Sequence, residues 1–285
     1  MPYALTRMVR RTHKARAAFV LAACGACILR YRNFVPAPVV HQDSSVRPAA
    51  AACGTALGAS CAAVAEAAGA QALPAAPSGI NQLPETQQAV VVATLLLGLA
   101  AGTWALVNPI FGALQGTLPE GWFKTWRKTW PILGAFYMAA GVAHFTAADA
   151  FEAIYPPQGT WGFWYLPGSA AFHVAWTGVA EIAGGSGLFL GSLFLGLAGA
   201  FNWELPPALR SLPALSALGL FTLTWAVTPA NIYMFTHGAQ MTGLTPGDQP
   251  IPVEFHAVRG LLQVVLLGIL WGYYRAAQAE EAQEA

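Results

Sequence analysis

From residue 81 onward the chain sets long apolar runs between short polar connectors, and the runs have the length of membrane spans. A hydrocarbon core about 30 Å thick takes roughly 20 residues of helix. Five runs reach or approach that length: residues 88–114, 131–151, 172–201, 212–235 and 253–274. The pattern predicts an all-α, multi-pass transmembrane helical bundle. Its central element is the third run, which carries His173, Thr177 and Glu181 at one-turn spacing, followed by Gly184, Gly185, Gly187 and Gly191. A carboxylate near mid-span costs at least ~2.5 kcal/mol facing lipid, so Glu181 is expected to face protein or water. The glycines admit neighbouring helices, Gly187 and Gly191 as a small-xxx-small pair. Asn108-Pro109 interrupts the first run, and Pro229 removes a backbone donor from the fourth, which predicts a kink or an early end there.

The connectors divide into two kinds. Residues 121–130 (GWFKTWRKTW) and 152–168, with Trp161-Gly-Phe-Trp-Tyr165, are aromatic and read as interfacial segments. Residues 276–285 form a charged, soluble helical tail. If each run crosses once, Lys124, Arg127, Lys128, Arg210 and Arg275 fall on one side, the stromal or cytoplasmic face by the distribution of loop cations. The opposite, lumenal face then receives the polar loop 237–252.

Composition agrees with a membrane protein: 56% of the 285 residues are hydrophobic and 9% charged. The net charge of +1 hides an asymmetry. Residues 1–80 hold eight Arg and Lys against Asp43 and Glu66, whereas the remainder is mildly acidic. Residues 1–16 are basic and 17–29 apolar but short, the layout of a secretory signal. The stretch from there to about residue 80 is rich in Ala, Ser, Pro and Gly. Residues 1–75 therefore read as a disordered targeting leader, either a transit peptide or a bipartite signal and transit peptide. That leader implies a plastid (chloroplast) membrane, with the thylakoid as the first address and the mitochondrial inner membrane as the alternative. All four cysteines lie in it, and Cys24-Gly-Ala-Cys27 reads as part of the leader rather than as a redox pair. No basic patch with interleaved aromatics suggests a nucleic acid.

The topology gathers the polar side chains at the lumenal half of the bundle. These are His144 in the second run; His173 and Glu181 in the third; Asn231 and His237 in the fourth; and His256, Arg259 and Gln263 in the fifth. His256, Arg259 and Gln263 share a helix face. Arg259, about one turn inside its span, needs an acceptor, and the expected partner is Glu181 or Glu254. The four histidines invite a metal or haem, but no H-x-x-x-H or E-x-x-H spacing falls on one span, which argues against either.

These residues also carry a resemblance. Glu181-Ile-Ala-Gly184-Gly185-Ser-Gly187-Leu, Pro229-Ala-Asn231-Ile-Tyr-Met234 and Arg259-Gly-Leu-Leu-Gln263 resemble, in order and position, the motifs of DoxX-like membrane proteins across about residues 130–275. The resemblance implies a four-helix membrane domain at residues 131–275, preceded here by one extra span, with Glu181, Asn231, Arg259 and Gln263 as site. It also implies an association with quinone-linked sulfur oxidation, notably thiosulfate:quinone oxidoreductase. Three functions stand as expectations. The first is a non-catalytic subunit or assembly factor of a membrane complex, working with a membrane-protein partner or as a homo-oligomer. The second is a quinone-binding subunit of a redox system, and the third a small proton-coupled transporter.

Overall fold

The computed structural model describes residues 75–119, 131–244 and 249–284. The expected leader up to residue 74, with its four cysteines, and the 121–130 connector lie outside them. All regular elements among the described residues are helical. Four stretches are long and apolar enough to cross a membrane: Glu85–Thr117, Ala170–Phe201, Pro207–His237 and Val253–Ala279. The chain is a multi-pass helical membrane protein.

Helix α1 (Glu85–Ala105) passes through a π turn (Leu106–Ile110) into α2 (Phe111–Thr117). The π turn forms at Asn108-Pro109, where proline has no N–H to give and the Asn108 amide instead donates to the Trp104 carbonyl at 2.9 Å. One stripe of α1 is buried, Gln88, Val92, Leu99 and Thr103, and most of its remaining surface is exposed and apolar, as lipid contact requires.

The second expected span is corrected by the structure. Helix α3 (Pro131–Thr146) ends before residue 151, and a separate short helix, α4 (Ala148–Ala153), comes after it. At 1.5 Å per residue, the 16 residues of α3 extend about 24 Å, less than the hydrocarbon thickness. What α3 lacks in length it has in fit to α5 (Ala170–Phe201), the most extensive helix pairing among the described residues. Glycines on the two helices meet reciprocally. A Cβ on Gly134 would lie 2.6 Å from the Gly185 carbonyl oxygen, and one on Gly185 would lie 2.6 Å from that of Gly134. Seven residues along, Gly141 and Gly178 repeat the arrangement at 2.7 and 3.0 Å. Backbones pack here on backbones, which lipid-embedded helices exploit because the solvent offers no hydrophobic drive.

The other face of α5 meets α6 (Pro207–Ala226), with Gly184 against Leu220, Gly187 against Ser216 and Gly191 against Pro213. The expected break at Pro229 is present: α6 stops at Ala226 and α7 (Thr228–His237) resumes after Val227. Helix α8 (Val253–Glu284) packs on α6, and α1 packs on the flank of α8. A core of Tyr137, Leu188, Ala217, Leu220, Leu223 and Leu270 joins α3, α5, α6 and α8.

The segment 154–169 is more than the surface connector expected of it. Trp161 is 2% exposed, packed against Val92 and Ile232, and its indole N–H donates to Thr236 Oγ1 at 3.0 Å. Its backbone is left-handed (φ 58°), between Gly159 and Gly162 that are left-handed too, so the turn drives the indole inward. Tyr155 stacks on His173, and burial raises its phenol above the ordinary value of 10. Ser78 closes the same end by donating to the Phe235 carbonyl at 2.7 Å, a free carbonyl of the last turn of α7.

Candidate functional site

The break between α6 and α7 supplies the polar centre. Thr224 and Thr228 sit one turn apart on either side of it, and the Thr228 hydroxyl donates to the Thr224 carbonyl at 2.8 Å. Gln263, on the facing turn of α8, donates its amide to Thr228 Oγ1 at 2.7 Å. Its Oε1 accepts from Asn231 Nδ2 at 3.3 Å, and Asn231 Oδ1 accepts from Arg259 Nη2. The order is forced, because a guanidinium only donates and each amide must offer it, or its relay, an oxygen. The chain of hydrogen bonds therefore runs one way, from the cation of α8 to a backbone carbonyl of α6.

Arg259 also donates to Met234 Sδ at 3.1 Å, a weak acceptor. Its expected pairing with Glu181 or Glu254 is not formed: among the described residues no carboxylate lies within ion-pair distance of it. Glu181 instead faces His144 across the close-packed α3–α5 seam. His144 Nδ1 is 3.0 Å from the Ala140 carbonyl of its own helix and 3.2 Å from Glu181 Oε2. The Nδ1 position thus faces two acceptors, the Ala140 carbonyl and the Glu181 carboxylate. Apart from this contact, Oε2 is a buried oxygen with no hydrogen-bond partner among the described residues. The imidazole is held on its other side by stacking on Phe151, centroids 3.9 Å apart.

Two cavities adjoin this network. The first, about 270 Å³, is bounded by Tyr137, Glu181, Thr224, Asn231, Arg259 and Gln263 with leucines from α6 and α8. Tyr137 donates to Thr224 Oγ1 at 2.7 Å, since the threonine's own proton goes to the Leu220 carbonyl. The second cavity, about 310 Å³, lies between α1, α7 and the start of α8. Asn231, Arg259 and Gln263 line both, so the three side chains form a partition between them.

The structure thus brings Glu181, Asn231, Arg259 and Gln263 to one cavity, with His144 behind Glu181. It places the other histidines elsewhere. His173 is committed at the start of α5: Nε2 donates to the Pro167 carbonyl at 2.8 Å and Nδ1 accepts from Trp176 at 3.0 Å, leaving no free ring nitrogen. His237 Nδ1 lies 2.8 Å from Thr236 Oγ1, beside the Trp161 plug. His256 lines the second cavity, next to Phe235. Sequence reasoning missed Tyr137, Thr224, Thr228 and Met234. The threonines carried a signal: they stand at i and i+4 immediately before Pro229, where a broken helix exposes carbonyls to side-chain donors. No family model, curated protein or solved structure matches this chain.

Proposed function

We propose that the bundle binds, in its first cavity, a small amphipathic molecule bearing acceptor oxygens, of the quinone head-group class. The observation that carries this reading is the state of Arg259, held inside a span with one amide oxygen and one thioether for partners. A guanidinium has five N–H donors, and a desolvated cation is costly unless acceptors surround it. A ligand carbonyl supplies them. Across the cavity, the Glu181 carboxyl, backed by His144 at 3.2 Å, suits either oxidation state of such a head group. Protonated, it donates to a carbonyl; ionised, it accepts from a hydroxyl. A purely packing role leaves the guanidinium without an account.

The DoxX-like motifs support the same class of ligand, because they carry Glu181, Asn231, Arg259 and Gln263. The basic, acid-poor leader supports a plastid membrane as the setting. Electrons, if the bound head group turns over, come from a partner protein in this reading.

The test is ligand-dependent stability in detergent, with a decyl-substituted benzoquinone against decylbenzene, which has the chain and no carbonyl. Ligand at 100 times its dissociation constant stabilises by about 2.7 kcal/mol, a readily measured rise in Tm. The quinone is expected to raise the Tm of the native protein and not that of Arg259→Leu. Equal shifts from decylbenzene, or none from either compound, overturn the reading.

A further inference from the structure

The second cavity differs from the first in its charge balance. Arg259 and His256 both line it, three residues apart and so on one face of α8, and among the described residues no aspartate or glutamate does. The first cavity has Glu181 opposite the same guanidinium. The remaining wall of the second is chiefly apolar, with Leu95 and Leu99 from α1 and Ile232 and Phe235 from α7. We infer that this cavity is a separate site for a single hydrocarbon chain ending in an anionic oxygen head, a carboxylate or phosphate, which Arg259 and His256 hold. It goes beyond the quinone site and is independent of it except for the three shared side chains.

The energetics make the head group decisive. A chain moving from bilayer lipid into an apolar cavity leaves one hydrocarbon setting for another and gains little from the transfer. A carboxylate or phosphate on a guanidinium that lacks a counter-charge gains charge-assisted hydrogen bonds, the stronger kind. Selection therefore falls on charge rather than on chain. An alcohol of equal length is discriminated against, since it offers the cation no negative charge.

The full chain in phosphatidylcholine nanodiscs is titrated with radiolabelled palmitate, with hexadecanol, and with phosphatidylglycerol doped into the disc, each corrected for uptake by empty discs. Saturable binding of palmitate near one per protein, and at least tenfold weaker binding of hexadecanol, is expected. Phosphatidylglycerol binding in place of palmitate supports the same site, with one of its two acyl chains seated in the cavity, and identifies a bilayer lipid as the source of the head group. Leu99→Trp fills the cavity from α1 and is expected to abolish binding. Leu95→Trp, at a more exposed wall position, does the same should the first variant fail to fold. Glu181→Gln, which alters the first cavity alone, is expected to leave it intact. Binding lost in Glu181→Gln but kept in both tryptophan variants places the occupant in the first cavity and overturns the inference. So does equal binding of hexadecanol, or no saturable binding of either anion. Failure here leaves the quinone test unaffected, because that test compares carbonyl-bearing and carbonyl-free ligands.

Discussion

The two flanks of α5 and α8 are built on opposite terms. Between α3 and α5 the four glycines Gly134, Gly141, Gly178 and Gly185 bring backbone against backbone and leave no room for a side chain. Between α1 and α8 contact is sparser, and the second cavity opens beside it. Glycines occur on that flank too, but they meet side chains rather than backbone, Gly102 against Val264 at 3.1 Å and Gly268 against Leu106 at 2.6 Å. What matters is therefore whether the glycines of two helices coincide in register, not how many there are. The tight flank positions Glu181 and His144, and the looser one borders the second cavity.

The comparison breaks most visibly if the tight flank is opened. Gly134→Leu combined with Gly185→Leu forces side chains into backbone atoms at 2.6 Å and has no low-cost relaxation. A loss of at least ~3 kcal/mol is expected, seen as collapse of the monodisperse elution peak in detergent. The looser flank depends instead on the Trp161 plug. Trp161→Leu removes the hydrogen bond to Thr236 and part of the contact with Val92 and Ile232, at an expected ~2–3 kcal/mol read from the shift in thermal unfolding. Protease sensitivity near the start of α1 should rise in the same variant. The smallest effect sharpens the contrast most. Gly98→Ala adds a methyl group to open space within α1 and is expected to be neutral or to stabilise by about 0.5–1 kcal/mol, through helix propensity. A destabilisation as large as that of the Gly134 and Gly185 pair would show that α1 has a close neighbour at that face.

Much of the fold was legible because apolar length is a strong signal. The third run ends at Phe201 as expected, and the break at Pro229 falls where a missing N–H requires it. The second run misled because continuous hydrophobicity says nothing of a turn: Ala147 breaks the helix with no proline or glycine to announce it. The convergence of Glu181, Asn231, Arg259 and Gln263 followed from their depth in successive spans. Their pairing did not follow, since charge alone matched Arg259 to Glu181. The deciding factor is local: the α3 seam holds His144 beside Glu181, while Asn231, one turn after the helix break, faces Arg259 directly. Trp161 was read by its aromatic neighbourhood, and a left-handed backbone at a non-glycine residue leaves no mark in composition.

The shortness of α3 has a consequence for the order of events during synthesis. Its 16 residues are too few to be comfortable in a bilayer alone, and the helix whose glycines complete it, α5, begins at Ala170, some 24 positions later in the chain. On a chain made from its N-terminus, α3 emerges before its partner exists. It must therefore wait, either at the membrane surface or sheltered by the insertion machinery, until α5 arrives. Insertion of this pair is in that sense an event of two helices rather than of one.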